Sequence, residues 1–140
     1  MALPPLLGAA QRTYGEAIRA ALHRAGFEDL PPTGVRLLGS LARGESNVGE
    51  LAQALGVSKQ TASALIDTLV ERGYCTREID ESDRRRTKIE LTVRGRAAGR
   101  AIRASVRRVD AMLSDHVSAD DLARTRSTLA ALAQLGATTS

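Results

Sequence analysis

Aromatic side chains are nearly missing from this sequence: Tyr14, Phe27 and Tyr74 are the whole set, and there is no tryptophan. Whatever core forms must therefore be built from Leu, Ala, Val and Ile, and most of that material favours helix. Cysteine occurs once, at Cys75, which excludes an intramolecular disulfide and a cysteine-based metal cluster. The two histidines, His23 and His116, have no acidic or histidine partner at ligand spacing, so no metal and no cofactor is expected. No apolar run approaches the roughly 20 residues that cross a bilayer. The first residues carry neither a basic segment nor a long apolar one, as a signal peptide would. The cytoplasm is the expected location, with no membrane partner. Neither a nucleophile–base pair nor a phosphate-binding glycine loop is present, and an enzyme is not expected.

What is present suits one folded domain. Hydrophobic residues make up 43% and charged residues 26%, enough apolar material for a core and too much for a disordered chain. The formal charge of +4 is unevenly spread. Between Ser58 and Arg108 there are 13 basic and 7 acidic residues, a net of +6; the remainder holds 7 and 9, a net of −2. That central stretch is where an anionic partner is sought.

Periodicity divides the chain into helices over about 6–25, 34–43, 48–55 and 59–72, then two strands, then helices over about 93–116 and from Ser118 onward. Pro4 and Pro5 are read as preceding the first helix and Thr33 as capping the second. Thr92 and Ser118 are read as caps of the fifth and sixth. Tyr74–Ile79 and Thr87–Leu91 are rich in β-branched residues and flank a hydrophilic segment with three consecutive arginines, Arg84 to Arg86. The fold class is mainly α with a small β-hairpin, in the order α-α-α-α-β-β-α-α.

Residues 49–66 hold the strongest pattern. Gly56 stands where a left-handed turn residue is needed, Ala52 keeps the crossing of two helices close, and Leu51, Leu55, Val57, Ala62 and Leu65 supply the contacts between them. Ser58 caps a second helix whose first turns present Lys59, Gln60, Thr61, Ser63 and Ala64. These are short polar, basic and methyl groups of the kind that read base edges in a major groove. The arginine-tipped hairpin follows at once, as a wing would. Asp83, Arg84, Arg85 and Arg86 are its candidate contacts, since arginine is drawn to a narrow minor groove.

The stretches Glu50–Thr61, Leu69–Tyr74 and Asp80–Gly95, with Asp-Arg-Arg in the hairpin and Leu-Thr-x-x-Gly after it, resemble the MarR family of bacterial regulators. The resemblance implies a winged helix-turn-helix lobe over 33–92 and a helical dimerisation region over 6–25 and 93–136. It implies a homodimer on a pseudo-palindromic double-stranded DNA operator, repressing its own or neighbouring genes. Ser58 to Thr61, Ser63, Ala64, Asp83, Arg84 and Arg85 become recognition and wing residues, with Asp83 orienting a neighbouring arginine and Arg84 entering the minor groove. A small-molecule effector is also implied. The sequence departs from the family at Ala64 and near Thr68, where basic side chains are common, and lacks the aromatics that often line the effector crevice.

Two other readings stay open: a protein-interaction module binding an acidic partner through the arginine loop, and a DNA-binding protein with no effector. Amphipathic helices at both ends favour a dimer, because one protomer built from small side chains has a thin core. Cys75, in a strand, reads as a small buried hydrophobe rather than a redox sensor. His23 and His116 fall near helix ends, where imidazole meets free carbonyls, and Asp120-Asp121 serves a helix N-terminus.

Overall fold

The computed structural model describes residues 1–139. Eight elements follow one another: α1 (Leu3–Arg24), α2 (Pro32–Ala42), α3 (Val48–Leu55), α4 (Lys59–Glu71), β1 (Cys75–Ile79), β2 (Thr87–Leu91), α5 (Val93–Ser114) and α6 (Ala119–Thr139). Their order and type are those expected; some boundaries differ. Pro4 and Pro5 lie inside the first turn of α1, which begins at Leu3. Proline is accepted there because its missing N–H would have had no partner. The same effect moves the start of α2. Pro31, extended at ψ 159°, is the N-cap and Pro32 the first helical residue, so Thr33 caps nothing.

Residues Met1–Val106 form one compact unit and the chain from Arg107 onward another. The core lies in the first. Leu37, Leu51, Ile66 and Leu69 are fully buried, one or two from each of α2, α3 and α4. Tyr74, Cys75 and Ile89 close that core from the hairpin. The α3–α4 turn folds back through Gly56 in the left-handed region (φ 69°), where a side chain would be strained. Val57 N–H then bonds the Ala52 carbonyl at 3.0 Å.

The hairpin is antiparallel, pairing Cys75 with Leu91, Arg77 with Ile89 and Ile79 with Thr87. Because side chains alternate along a strand, Ile89 turns into the core with Cys75 while its neighbour Lys88 stays exposed. Ile89 N–H also bonds the Ser46 carbonyl at 2.7 Å, which holds the base of the hairpin against the segment leading into α3.

Thr92 starts α5. Its hydroxyl accepts from Gly95 N–H at 3.0 Å and donates to the Gly73 carbonyl. Gly95 is packed so tightly that a Cβ there would lie 2.0 Å from the Tyr74 carbonyl oxygen. The glycine of the Leu-Thr-x-x-Gly motif is thus a packing requirement. In the second unit Ser118 caps α6 as expected, its hydroxyl accepting from Asp121 N–H at 3.1 Å. Leu129 and Leu132 of α6 remain exposed. Among the described residues, no helix is long and apolar enough to cross a membrane.

Candidate nucleic-acid interface

The start of α4 is shaped by Ser58. Its Oγ accepts from Thr61 N–H at 3.0 Å and pairs with Thr61 Oγ1 at 3.0 Å. Both hydroxyls are held at the helix entrance by this cap, and the Ser58 oxygen satisfies one of the free N–H groups of the first turn. Lys59, Gln60, Thr61 and Ala64 are exposed, and Ala62 between them is fully buried. That alternation anchors the helix by one face and offers the other.

Ser63 is half-buried and already engaged. Arg77, from β1, donates through Nη2 to the Ser63 hydroxyl at 2.9 Å and to the Ser63 carbonyl at 3.0 Å. The same guanidinium reaches Asp67, with Nε at 3.0 Å and Nη2 at 2.8 Å from Oδ1. One arginine therefore bolts the middle of α4 to the hairpin. Arg77 was not among the expected residues, because its partners come together only in the folded chain.

The loop of the hairpin is internally braced. Asp80 N–H bonds the Arg86 carbonyl at 3.0 Å, and Arg86 N–H bonds the Asp83 carbonyl at 2.9 Å. The Asp80 carboxylate accepts from the Ser82 hydroxyl at 2.6 Å and its N–H at 2.9 Å. These bonds hold the Asp80 carboxyl below the usual carboxylate range, the hydroxyl having the larger effect. Asp83 lies between two arginines, 3.8 Å from Arg85 Nε and 3.6 Å from Arg86 Nε, and accepts from Arg85 N–H at 3.1 Å. Arg84 is exposed and makes no hydrogen bond or ion pair with the described residues.

The two expected surfaces meet in space. Lys59 of α4 and Arg86 of the hairpin line one cleft of about 620 Å³ with Asn47, Gly49, Glu50 and Thr87. Asn47 was missed from the sequence. Its side chain caps α3, accepting from Glu50 N–H at 2.9 Å and donating to the Glu50 carboxylate. The Asn-x-x-Glu spacing is that of a capping box, with the return bond made here between the two side chains.

A two-helix turn with a short polar helix start, followed by a braced, arginine-tipped hairpin, defines a winged helix-turn-helix. Residues 28–86 match the MarR family model. Among similar solved structures is the transcriptional repressor CouR bound to a 23-mer DNA duplex. It is 28% identical, with a TM-score of 0.73 over 91% of this chain and 89% of that one. A MarR family transcriptional regulator from Silicibacter pomeroyi DSS is also 28% identical, with a TM-score of 0.70 over 94% and 86% of the two chains. The exopolysaccharide II synthesis transcriptional activator ExpG of Rhizobium meliloti (strain 1021) is 27% identical over 105 residues, 75% of this chain. The matched stretch spans 54% of that relative's length.

Proposed function

We propose that the chain is a non-catalytic, cytoplasmic, sequence-specific binder of double-stranded DNA that regulates transcription as a homodimer, repressing by occupying its operator. The observation that carries the reading is the shared cleft of Lys59 and Arg86, which joins helix start and wing into one cationic surface. On this reading Gln60, Thr61 and Ala64 face base edges in the major groove, and Ser58 and Lys59 lie beside phosphates. Arg84, with no partner among the described residues, reaches the minor groove; Arg85 and Arg86 are steadied by Asp83. CouR, whose structure resembles this one, is a repressor seen on a DNA duplex, which supports the same use of the fold.

Dimerisation is supported by apolar side chains left in solvent at both ends of the chain. Leu3 and Leu6 of α1 are 53% and 46% exposed, and Met112 of α5 is 62% exposed. Burying such residues against a second copy removes them from water at about 25 cal/mol per Å². We assign 33–92 to DNA binding and 6–25 with 93–136 to dimerisation. Release from DNA by a small molecule completes the reading; its support is another open cleft, of about 810 Å³, walled by α2, β2 and α5.

The test is a quantitative mobility shift with the DNA upstream of the protein's own operon, at several salt concentrations. Arg84→Ala should weaken binding and lower the salt slope by about one charge. Gln60→Ala should weaken binding to the operator more than to unrelated DNA. If neither substitution changes binding, the surface is misassigned.

A further inference from the structure

Ile79 is the one hydrophobic side chain from Glu78 to Lys88, a segment that holds eight charged residues. It ends β1 and is 70% exposed. Its place in the hairpin register sets it apart from an incidental surface residue. Residues directly opposite in an antiparallel pair share a face of the hairpin. Ile79 therefore stands beside Thr87, on the same face as the pairs Arg77–Ile89 and Cys75–Leu91. That face is the inner one: Cys75 and Ile89 are buried, and Arg77 grips α4. Ile79 and Thr87 continue it beyond the core and are open to solvent.

Charge is sorted between the two faces. The acidic residues of the strands, Glu78 and Glu90, lie with Thr76 and Lys88 on the outer face. The inner face carries no carboxylate, and its charge is that of Arg77. Thr87 lines the cleft that also holds Lys59, the first residue of α4, and Arg86. Glu50, the carboxylate on that wall, accepts from the Asn47 side chain. An apolar pair is thus set among cations, on the side of the hairpin where α4 begins.

On the DNA-binding reading, on which this inference rests, that position has a definite neighbour. With α4 in the major groove and Arg84 in the adjoining minor groove, one sugar–phosphate strand separates the two. The strand has to pass between the start of α4 and the tip of the hairpin, where Ile79 and Thr87 lie. It offers two chemistries in alternation, an anionic phosphate and a deoxyribose with apolar ring carbons. Lys59 and Arg86 suit the first. We propose that Ile79, with the Thr87 methyl group, packs on the deoxyribose of this strand and supplies an apolar, sequence-independent share of DNA affinity. Both side chains are β-branched and stiff, so holding them against a sugar costs little entropy.

The test is binding of the full chain to its operator and to unrelated duplex DNA over a range of salt, with hydroxyl-radical footprints of the complexes. Hydroxyl radicals attack deoxyribose hydrogens, so the footprint reads which sugars are covered. Ile79→Ser should weaken binding about fivefold on both DNAs, because a sugar carries no sequence. Its salt slope should equal the parent's, because no cation is lost. Its melting temperature should also be the parent's, and sugars beside the wing should lose protection. Ile79→Val, which keeps most of the apolar area, should bind within about twofold of the parent. Ile79→Lys should raise the salt slope by about one charge. Ile79→Ser binding as tightly as the parent overturns the proposal. So does a loss confined to the operator, a lowered salt slope or melting temperature, an unchanged footprint, or a slope that Ile79→Lys leaves where it was. A parent chain that binds neither DNA sinks the proposed function itself. A parent that binds while Ile79→Ser binds equally well sinks this contact alone.

Discussion

Arg94 lies with its guanidinium 4.6 Å from the centroid of the Tyr74 ring and donates to that residue's hydroxyl at 3.1 Å. It also sits 5.1 Å from the centroid of the Phe27 ring and 3.0 Å from Asp29 Oδ1. The Tyr74 hydroxyl donates to the same carboxylate oxygen. Two of the three aromatic residues in the chain are thus spent on one joint, between the loop after α1, the entrance to β1 and the first turn of α5. Replacing Arg94 with Ala removes a half-exposed cation over two rings and should lower stability by about 1 kcal/mol. Thermal unfolding of the variant measures it.

The joint has a pH signature. Asp29 is held below the usual carboxylate range, first by the hydrogen bond from Tyr74 and then by the Arg94 charge, with partial burial opposing. Its stabilisation is present above the unfolded value of about 4 and is lost as pH falls through the lower folded value. Burial, then Asp29, push the Tyr74 hydroxyl up to about 12. That contribution is intact below about 10 and disappears as pH rises through the folded value. Asp29→Asn should melt earlier at neutral pH and show a shallower loss of melting temperature in acid. An unchanged acid slope would remove Asp29 from this role.

Gly95 offers a steric test. A methyl group 2.0 Å from the Tyr74 carbonyl oxygen cannot be accommodated without moving α5 or the start of β1. Gly95→Ala should cost about 3 kcal/mol, although alanine is the better helix former. A melting temperature equal to that of the parent protein contradicts this packing.

Arg77 should affect specificity more than general affinity for DNA. It sets the Ser63 hydroxyl and ties α4 to the hairpin, and its own guanidinium is occupied by Ser63 and Asp67. Arg77→Ala should weaken operator binding about tenfold and leave binding to unrelated DNA, and its salt slope, nearly unchanged. Arg77→Lys, which lacks the planar fork, should rescue only in part. Equal losses on both DNAs would make Arg77 a phosphate contact or a purely structural residue.

Cys75 should be inert. It is buried, and burial pushes its thiol up to about 11 against a smaller opposing effect of Arg77. At neutral pH almost no thiolate is present to react. Iodoacetamide should label the protein only in denaturant, and peroxide should leave DNA binding intact. Rapid labelling of the native protein would reverse that conclusion.

Features legible in the sequence are those whose causes lie within a few residues. Gly56 and Ser58 bound the turn between α3 and α4 by local conformation and capping, and the hairpin follows from β-branched residues around a charged segment. Thr92 and Ser118 cap their helices through bonds three residues long. Misread boundaries trace to proline, which starts helices as readily as it stops them, and α1 and α2 both begin with one inside the first turn. Asn47 belonged to a readable pattern and was overlooked. Arg77 was not readable: its partners lie ten and fourteen residues back, and only the packing of β1 against α4 brings them within reach.

The Arg77 bridge also constrains the DNA sequence the protein can recognise. With hairpin and α4 bolted together, the wing cannot slide along the duplex independently of the helix. On the proposed reading, the number of base pairs between the major-groove contacts and the Arg84 contact is then a property of the protein. Inserting one base pair inside a half-site should be as harmful as scrambling it, whereas operators differing only in flanking composition should compete equally.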